Sequence, residues 1–288
     1  MQPAPGRRPP AAPACALRDG PPAPGCATYR AVRTLAWSVS AALAVMLAGC
    51  VRVARWLPAP EPMRSIAWPQ RAAGHARCLV VFLPGLGDDA DDFERNGLIA
   101  DLQRRGLSAD LIAASATIGY YARGTFLARL AADVVGPARA RGYAEVWLIG
   151  NSMGGLGTVY YARAHTAEIT GVLALAPFLG DADLIHEIDD QGGLAGWQAP
   201  PRVAALTPDN YQRELWRWLQ AVTRGQEPGP DLYLGFGRSD KLAHQDQLLA
   251  EALPDDHTFL IPGAHDWKTW RRLFDLFLDD SDFARRCR

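Results

Sequence analysis

The sequence predicts an α/β domain, a doubly wound, mostly parallel sheet with a helical cap inserted late in the chain. Three observations carry this. Short, continuous apolar runs rich in β-branched residues alternate with segments of helical period, the pattern of strands covered on both faces and their crossover helices. The chain has 288 residues and is 49% hydrophobic, enough for one substantial core. One stretch, 181–230, interrupts the alternation and is too long for a plain connection in a compact domain.

Taken in order, 63–68 supplies a weak edge strand and Cys78–Leu83 the first strong one. Pro84-Gly85-Leu86-Gly87-Asp88-Asp89 breaks the chain, and 91–105 has helical spacing at Phe93, Leu98, Ile99 and Leu102. A short strand at 109–113 leads through a loop at 120–124 to a helix over about 125–141. Strands at 145–149 and 170–175 flank a helix at 152–165, and Pro177 ends the second of them. Within the insertion, Leu215, Trp218, Leu219 and Val222 recur at helical spacing, with Tyr211 one turn before. The alternation then resumes with a strand at 231–236, a helix at 241–253, a strand at 257–261 and a closing helix at 266–279. About six buried strands with intervening helices give the doubly wound sheet.

The strongest local signal is Gly150-Asn151-Ser152-Met153-Gly154, standing between an apolar strand and a helix. A sharp strand-to-helix turn exposes the serine hydroxyl, and glycines two residues either side give the backbone room. Serine is a weak nucleophile and needs an adjacent base, itself oriented by a carboxylate. In a doubly wound sheet functional groups gather beyond the carboxyl ends of the strands. Asp240 follows the strand at 231–236, and His265 follows the last strand. Of the six histidines, His75, His165, His186, His244 and His257 sit before a strand, at a helix end, in helical context or at a strand start. Asp181 and Asp183 are alternative positions for the acid, whereas Asp266 reads as the cap of the closing helix.

The chain order Ser152, Asp240, His265 resembles the α/β-hydrolase superfamily over roughly residues 63 to 280. The segment from Gly263 to Trp270 is similar to the G-x-H-x-W stretch around the histidine of some esterase branches. The resemblance implies a Ser-His-Asp triad that cleaves carboxylic esters through an acyl-enzyme, with no metal or organic cofactor required. It also implies an oxyanion hole from the backbone N–H groups of Met153 and Leu86, with Gly85 allowing close approach. Many relatives carry histidine where this chain has Pro84. Thioester cleavage or acyl transfer by the same triad is an alternative, as is a non-catalytic envelope lipoprotein of the same fold. The expected partner is a small-molecule acyl ester. Trp197, Trp216 and Trp218 either line an acyl site or pack the cap onto the domain.

Ahead of the domain, residues 1–29 hold eight of the 22 prolines and no apolar periodicity, and are expected to be disordered or the product of an early start codon. Arg30 and Arg33 precede an apolar run at 35–48, which ends in Leu47-Ala48-Gly49-Cys50. Basic flank, short apolar core and small residues describe a secretory signal. The last four residues resemble a bacterial lipoprotein box, which implies lipidation of Cys50 and a location at the cell envelope. An uncleaved anchor or an ordinary signal are the alternatives. Residues 51–67, with Pro58, Pro60 and Pro62, read as a tether. A net charge of −1 gives no basis for general nucleic-acid affinity. The five cysteines show no metal-ligand spacing, and Cys78 and Cys287 are expected as free thiols, with their pairing in an oxidising compartment as the alternative.

Overall fold

A computed structural model describes residues 57–69 and 76–288. The proline-rich start, the apolar run, Cys50 and the first residues of the expected tether lie outside the described residues. Seven strands form one sheet in the order β1-β3-β2-β4-β5-β6-β7. They are β1 Ser65–Trp68, β2 Cys78–Leu83, β3 Ala109–Ala114, β4 Glu145–Asn151, β5 Gly171–Leu175, β6 Asp231–Gly237 and β7 Thr258–Ile261. Of these seven, β1 alone runs antiparallel, against β3 at one edge. Every residue of β2, β4 and β5 is buried, as expected where helices cover both faces of a parallel sheet.

The order reverses at β2. From there the chain moves out to β3, returns across to β4, and then proceeds toward β7. The crevice between the carboxyl ends of β2 and β4 is therefore a topological switch point, where such sheets place their ligands. Register aligns that edge, since Leu83 lies opposite Gly150, and Asn151 opposite Leu175.

Two expected helices depart from a single regular α-helix. The segment read as one helix over 91–105 is two, Asp92–Arg95 and Leu98–Arg104, because Gly97 takes a left-handed φ of 86° between them. The helix expected over 125–141 contains a π segment, Ala131–Val135. That widening presents Asp133 to Arg129 and to the backbone N–H of Met63, at 2.7 Å for the latter. The expected loop at 120–124 instead begins as a short helix, Ile118–Ala122.

The described part of the expected tether lies against the domain. Tyr120 donates its hydroxyl to the Pro60 carbonyl at 2.6 Å, and Arg123 donates to the Leu57 carbonyl at 2.9 Å. Cys78 and Cys287, expected as free thiols with pairing as the alternative, form a disulfide across 209 residues of chain. The helix Asp282–Arg286 folds the C-terminus back to the start of β2, a proximity that cysteine spacing does not reveal.

The insertion is helical, with Ala182–Asp190, Gly193–Gly196 and Tyr211–Thr223. Trp197, Trp216 and Trp218 are buried within it, so they pack the cap onto the domain. The longest cap helix is fastened to the helix after β4 by Glu214, which accepts from Arg163 at 2.7 Å and from its own Arg217 at 2.8 Å. Burial alone would push the Glu214 carboxyl up, but the two guanidinium groups outweigh it and hold it below its ordinary value. Among the described residues, no helix is long and apolar enough to cross a membrane.

Candidate active site

β4 runs straight into the helix Met153–Ala164, with Ser152 as the hinge between them at φ 53° and ψ −115°. A serine rarely adopts this conformation, which costs on the order of 1–3 kcal/mol and persists only where neighbours impose it. Three hydrogen bonds do so. The Ser152 N–H donates to the Leu175 carbonyl at 2.8 Å, and its carbonyl accepts from the N–H groups of Leu156 and Phe178. The flanking glycines serve close approach, since neither has positive φ. A Cβ on Gly150 would collide with the Gly154 carbonyl, and one on Gly154 would collide with that of Leu83.

The segment after β5 is held in turn by Gln245, whose side-chain N–H donates to the Pro177 carbonyl at 2.9 Å while its oxygen accepts from the Leu179 N–H at 3.2 Å. Ala176, just before it, has a φ of 43° and donates to the Gly235 carbonyl. It and Ser152 are the two non-glycine residues with positive φ among the described residues.

Asp240 and His265 lie a few residues beyond the paired ends of β6 and β7, where Gly237 is opposite Ile261. Backbone bonds join the two loops, from the Arg238 N–H to the Ile261 carbonyl and from the Ser239 N–H to the Gly263 carbonyl, each 2.9 Å. Asp266 caps the closing helix Trp267–Asp280 by accepting from the Thr269 N–H at 2.8 Å, a bond that holds its carboxyl below the ordinary range. The cap sets the helix start immediately after the histidine.

These loops bring Ser152, Asp240 and His265 together. His265 Nε2 is 2.9 Å from Ser152 Oγ, and its Nδ1 is 2.9 Å from both carboxylate oxygens of Asp240. With a carboxylate at Nδ1, that nitrogen carries the proton and donates it to Asp240, leaving Nε2 to accept from the serine hydroxyl. The Asp240 side chain is fully buried and also accepts from the Leu242 N–H at 2.8 Å. Trp270 stands edge-on to the imidazole, 5.0 Å between centroids. Asp181 is instead on the exposed cap, bonded to Gln212, and Asp183 is exposed.

The residues expected to form an oxyanion hole are also at this edge. The backbone N–H of Met153 starts the helix after Ser152 and has no acceptor among the described residues. Leu86 stands on the loop after β2, 67% exposed, and its N–H likewise has no acceptor there.

Comparison with known proteins adds the fold. No family model matches the chain, and no curated protein matches it in sequence. Solved structures do match. An S-formylglutathione hydrolase from Agrobacterium tumefaciens is 14% identical, with 80% of this chain and 93% of that one covered at a TM-score of 0.55. MPT51 (FbpC1) of Mycobacterium tuberculosis is 12% identical, covering 81% and 97% at 0.51. FphF, a fluorophosphonate-binding serine hydrolase of Staphylococcus aureus, is 14% identical, covering 74% and 96% at 0.50. The fold is that of the α/β-hydrolases. Within an α/β-hydrolase fold, the turn after β4 and the loops after β2, β6 and β7 are where Ser152, Leu86, Asp240 and His265 stand.

Two residues at this α/β-hydrolase edge were not singled out by sequence. Asp246, in the helix Ala243–Ala250 that follows the acid loop, is fully buried with neither carboxylate oxygen hydrogen-bonded. Burial, and then the negative charge of Asp240, push its carboxyl well above the ordinary range. Asp88 bonds to residues beside both Ser152 and His265. Aspartates are common in helices and loops, so neither position carried a signal.

Proposed function

We propose that this chain is a serine hydrolase of carboxylic esters, with Ser152 as nucleophile, His265 as base and then acid, and Asp240 as the orienting carboxylate. One observation carries the reading: a single imidazole stands 2.9 Å from the Ser152 hydroxyl oxygen and from the buried Asp240 carboxylate. Serine hydroxyls do not attack acyl carbons unaided, and this arrangement supplies the activation. Ser152 Oγ adds to the acyl carbon as its proton passes to His265 Nε2. Asp240 stabilises the imidazolium, and the Met153 and Leu86 N–H groups receive the developing oxyanion. Collapse expels the alcohol, which takes the proton from His265, and water then repeats the sequence on the acyl-enzyme. A fluorophosphonate probe tests this directly. The purified protein should label, and Ser152→Ala should not. Equal labelling of both forms contradicts the assignment.

The location follows as part of the same proposal. The basic flank, apolar run and Leu47-Ala48-Gly49-Cys50 support lipidation of Cys50 and an envelope address. The Cys78–Cys287 disulfide supports it independently, because disulfides persist in oxidising compartments and are rare in the cytosol. Labelled palmitate should enter the full-length chain in a bacterial host and be lost in Cys50→Ser. Incorporation that survives the substitution rules out the anchor.

A further inference from the structure

We infer that Asp88 is a positioning residue, whose carboxylate ties the oxyanion loop to both the nucleophile strand and the helix behind the catalytic histidine. The inference rests on the serine-hydrolase reading above and adds a residue to it.

The loop after β2 turns at residues 85–88, where the Asp88 N–H donates to the Gly85 carbonyl at 3.2 Å and Gly87 takes a φ of 89°. Leu86 occupies the corner of that turn. A turn of this kind has no rigid element of its own, so something must fix where the Leu86 N–H points. The Asp88 side chain is placed to do it. Its Oδ2 accepts from Asn151 Nδ2 at 3.2 Å, and its Oδ1 accepts from Trp267 Nε1 at 3.3 Å. Asn151 is the last residue of β4, fully buried, and precedes Ser152. Trp267 is the first residue of the closing helix, two positions after His265. Its ring packs edge-on against Phe93 and against Trp270, which is itself edge-on to the His265 imidazole.

One carboxylate thus receives donors from the neighbours of two triad members while standing on the third loop of the site. Both carboxylate oxygens are engaged, one by each donor. No cation pairs with Asp88 among the described residues, whereas the next acids, Asp89 and Asp91, share the exposed Arg64. A negative charge does nothing to stabilise a nearby oxyanion, so the contribution of Asp88 is alignment. Small misalignments are expensive in catalysis, with about 1 Å costing on the order of a hundredfold.

The test compares steady-state kinetics of Asp88→Ala, Asp88→Asn and Trp267→Phe, each corrected for active sites by fluorophosphonate titration. Asp88→Ala removes both acceptors, and kcat per titrated site should fall about 10- to 100-fold with KM within about threefold. Asp88→Asn is the conservative rescue. Its oxygen still faces Trp267, and the Asn151 amide, whose own oxygen has no hydrogen bond, can turn to accept from the new NH2. It should recover at least about fivefold of the loss. Trp267→Phe removes one donor and should lower kcat by a smaller factor, again without a matching change in KM. A kcat per site that is unchanged in Asp88→Ala and Trp267→Phe overturns the inference, as does a loss in Asp88→Ala that Asp88→Asn fails to recover. If the wild-type protein neither labels nor turns over esters, the hydrolase reading itself has failed, and that outcome is distinct from these.

Discussion

At the carboxyl ends of the strands the chain is strained and polar. Ser152 and Ala176 hold positive φ, Asp240 is buried against His265, and the Asp246 carboxyl is buried with no hydrogen bond. At the amino ends the same sheet is stapled. Cys287 is bonded to Cys78 at the start of β2, and its carbonyl accepts from the Ser108 N–H just before β3. Arg286 pairs with Glu145 at the start of β4 and with Asp231 at the start of β6. Two consecutive residues of the C-terminus thus bind the starts of three strands and the approach to a fourth. The contrast teaches a division of labour, in which conformational cost collects at the end that holds the site and cross-links collect at the other.

If the division is real, changes at the two ends should separate activity from stability. The largest expected effect is at the site. Asp240→Asn leaves the histidine without its orienting charge and should lower kcat by about 10⁴-fold, with little loss of stability in denaturant unfolding. A comparable loss of both would break the comparison.

Next comes the staple. Removing the disulfide in Cys78→Ser with Cys287→Ser frees a long loop in the unfolded chain and should cost about 2–5 kcal/mol of unfolding free energy. The fraction that stays folded should keep its turnover number, since the bond lies at the opposite end of the strands from Ser152. A fall in kcat per titrated site would join the two ends.

Asp246 tests the site end from the stability side. Its folded pKa is raised, so the folded state binds more protons than the unfolded one, and stability falls as pH climbs above the ordinary carboxylate range. Asp246→Asn cannot ionise and should be more stable than wild type at pH 7, with the gap closing toward pH 4. A pH-independent difference would mean that packing, not ionisation, sets the cost.

The smallest effect concerns the cap. Hydrogen bonds from Arg213 and then Trp197 hold the Glu187 carboxyl down to about 2, joining two cap helices. A depressed value contributes stability above the unfolded value of 4.5, lost as pH falls from there toward about 2. Protection from hydrogen exchange, taken relative to the intrinsic rate at each pH, should therefore fall in the helices Ala182–Asp190 and Tyr211–Thr223 over that window before it does in β4 and β5. The partial exposure of both side chains keeps the effect modest.

Much of this architecture was legible in the chain. Continuous apolar runs marked β2 and β4, short strand-like segments marked the other parallel strands, and the turn after β4 and the loops after β6 and β7 contain the three residues now found joined through one imidazole at 2.9 Å. What was not legible depends on three dimensions. The break at Gly97 hid inside an apolar pattern that continues on both sides, because a single glycine is compatible with a helix at modest cost. The disulfide needed the C-terminal helix to return to β2. The described end of the expected tether read as unattached because the partners of Pro60 and Met63, Tyr120 and Asp133, are distant in sequence. Asp88 and Asp246 gain meaning only from what surrounds them.

The central claim is that Ser152 carries the acyl group during turnover. The most direct measurement is an acid-quenched single turnover with a p-nitrophenyl ester, followed by peptide mass mapping. The account predicts a transient adduct of the acyl mass on the peptide containing Ser152, one per active site, and a longer-lived adduct with a bulkier acyl group. Turnover that proceeds undiminished in Ser152→Ala, or an adduct mapped to another residue, contradicts it.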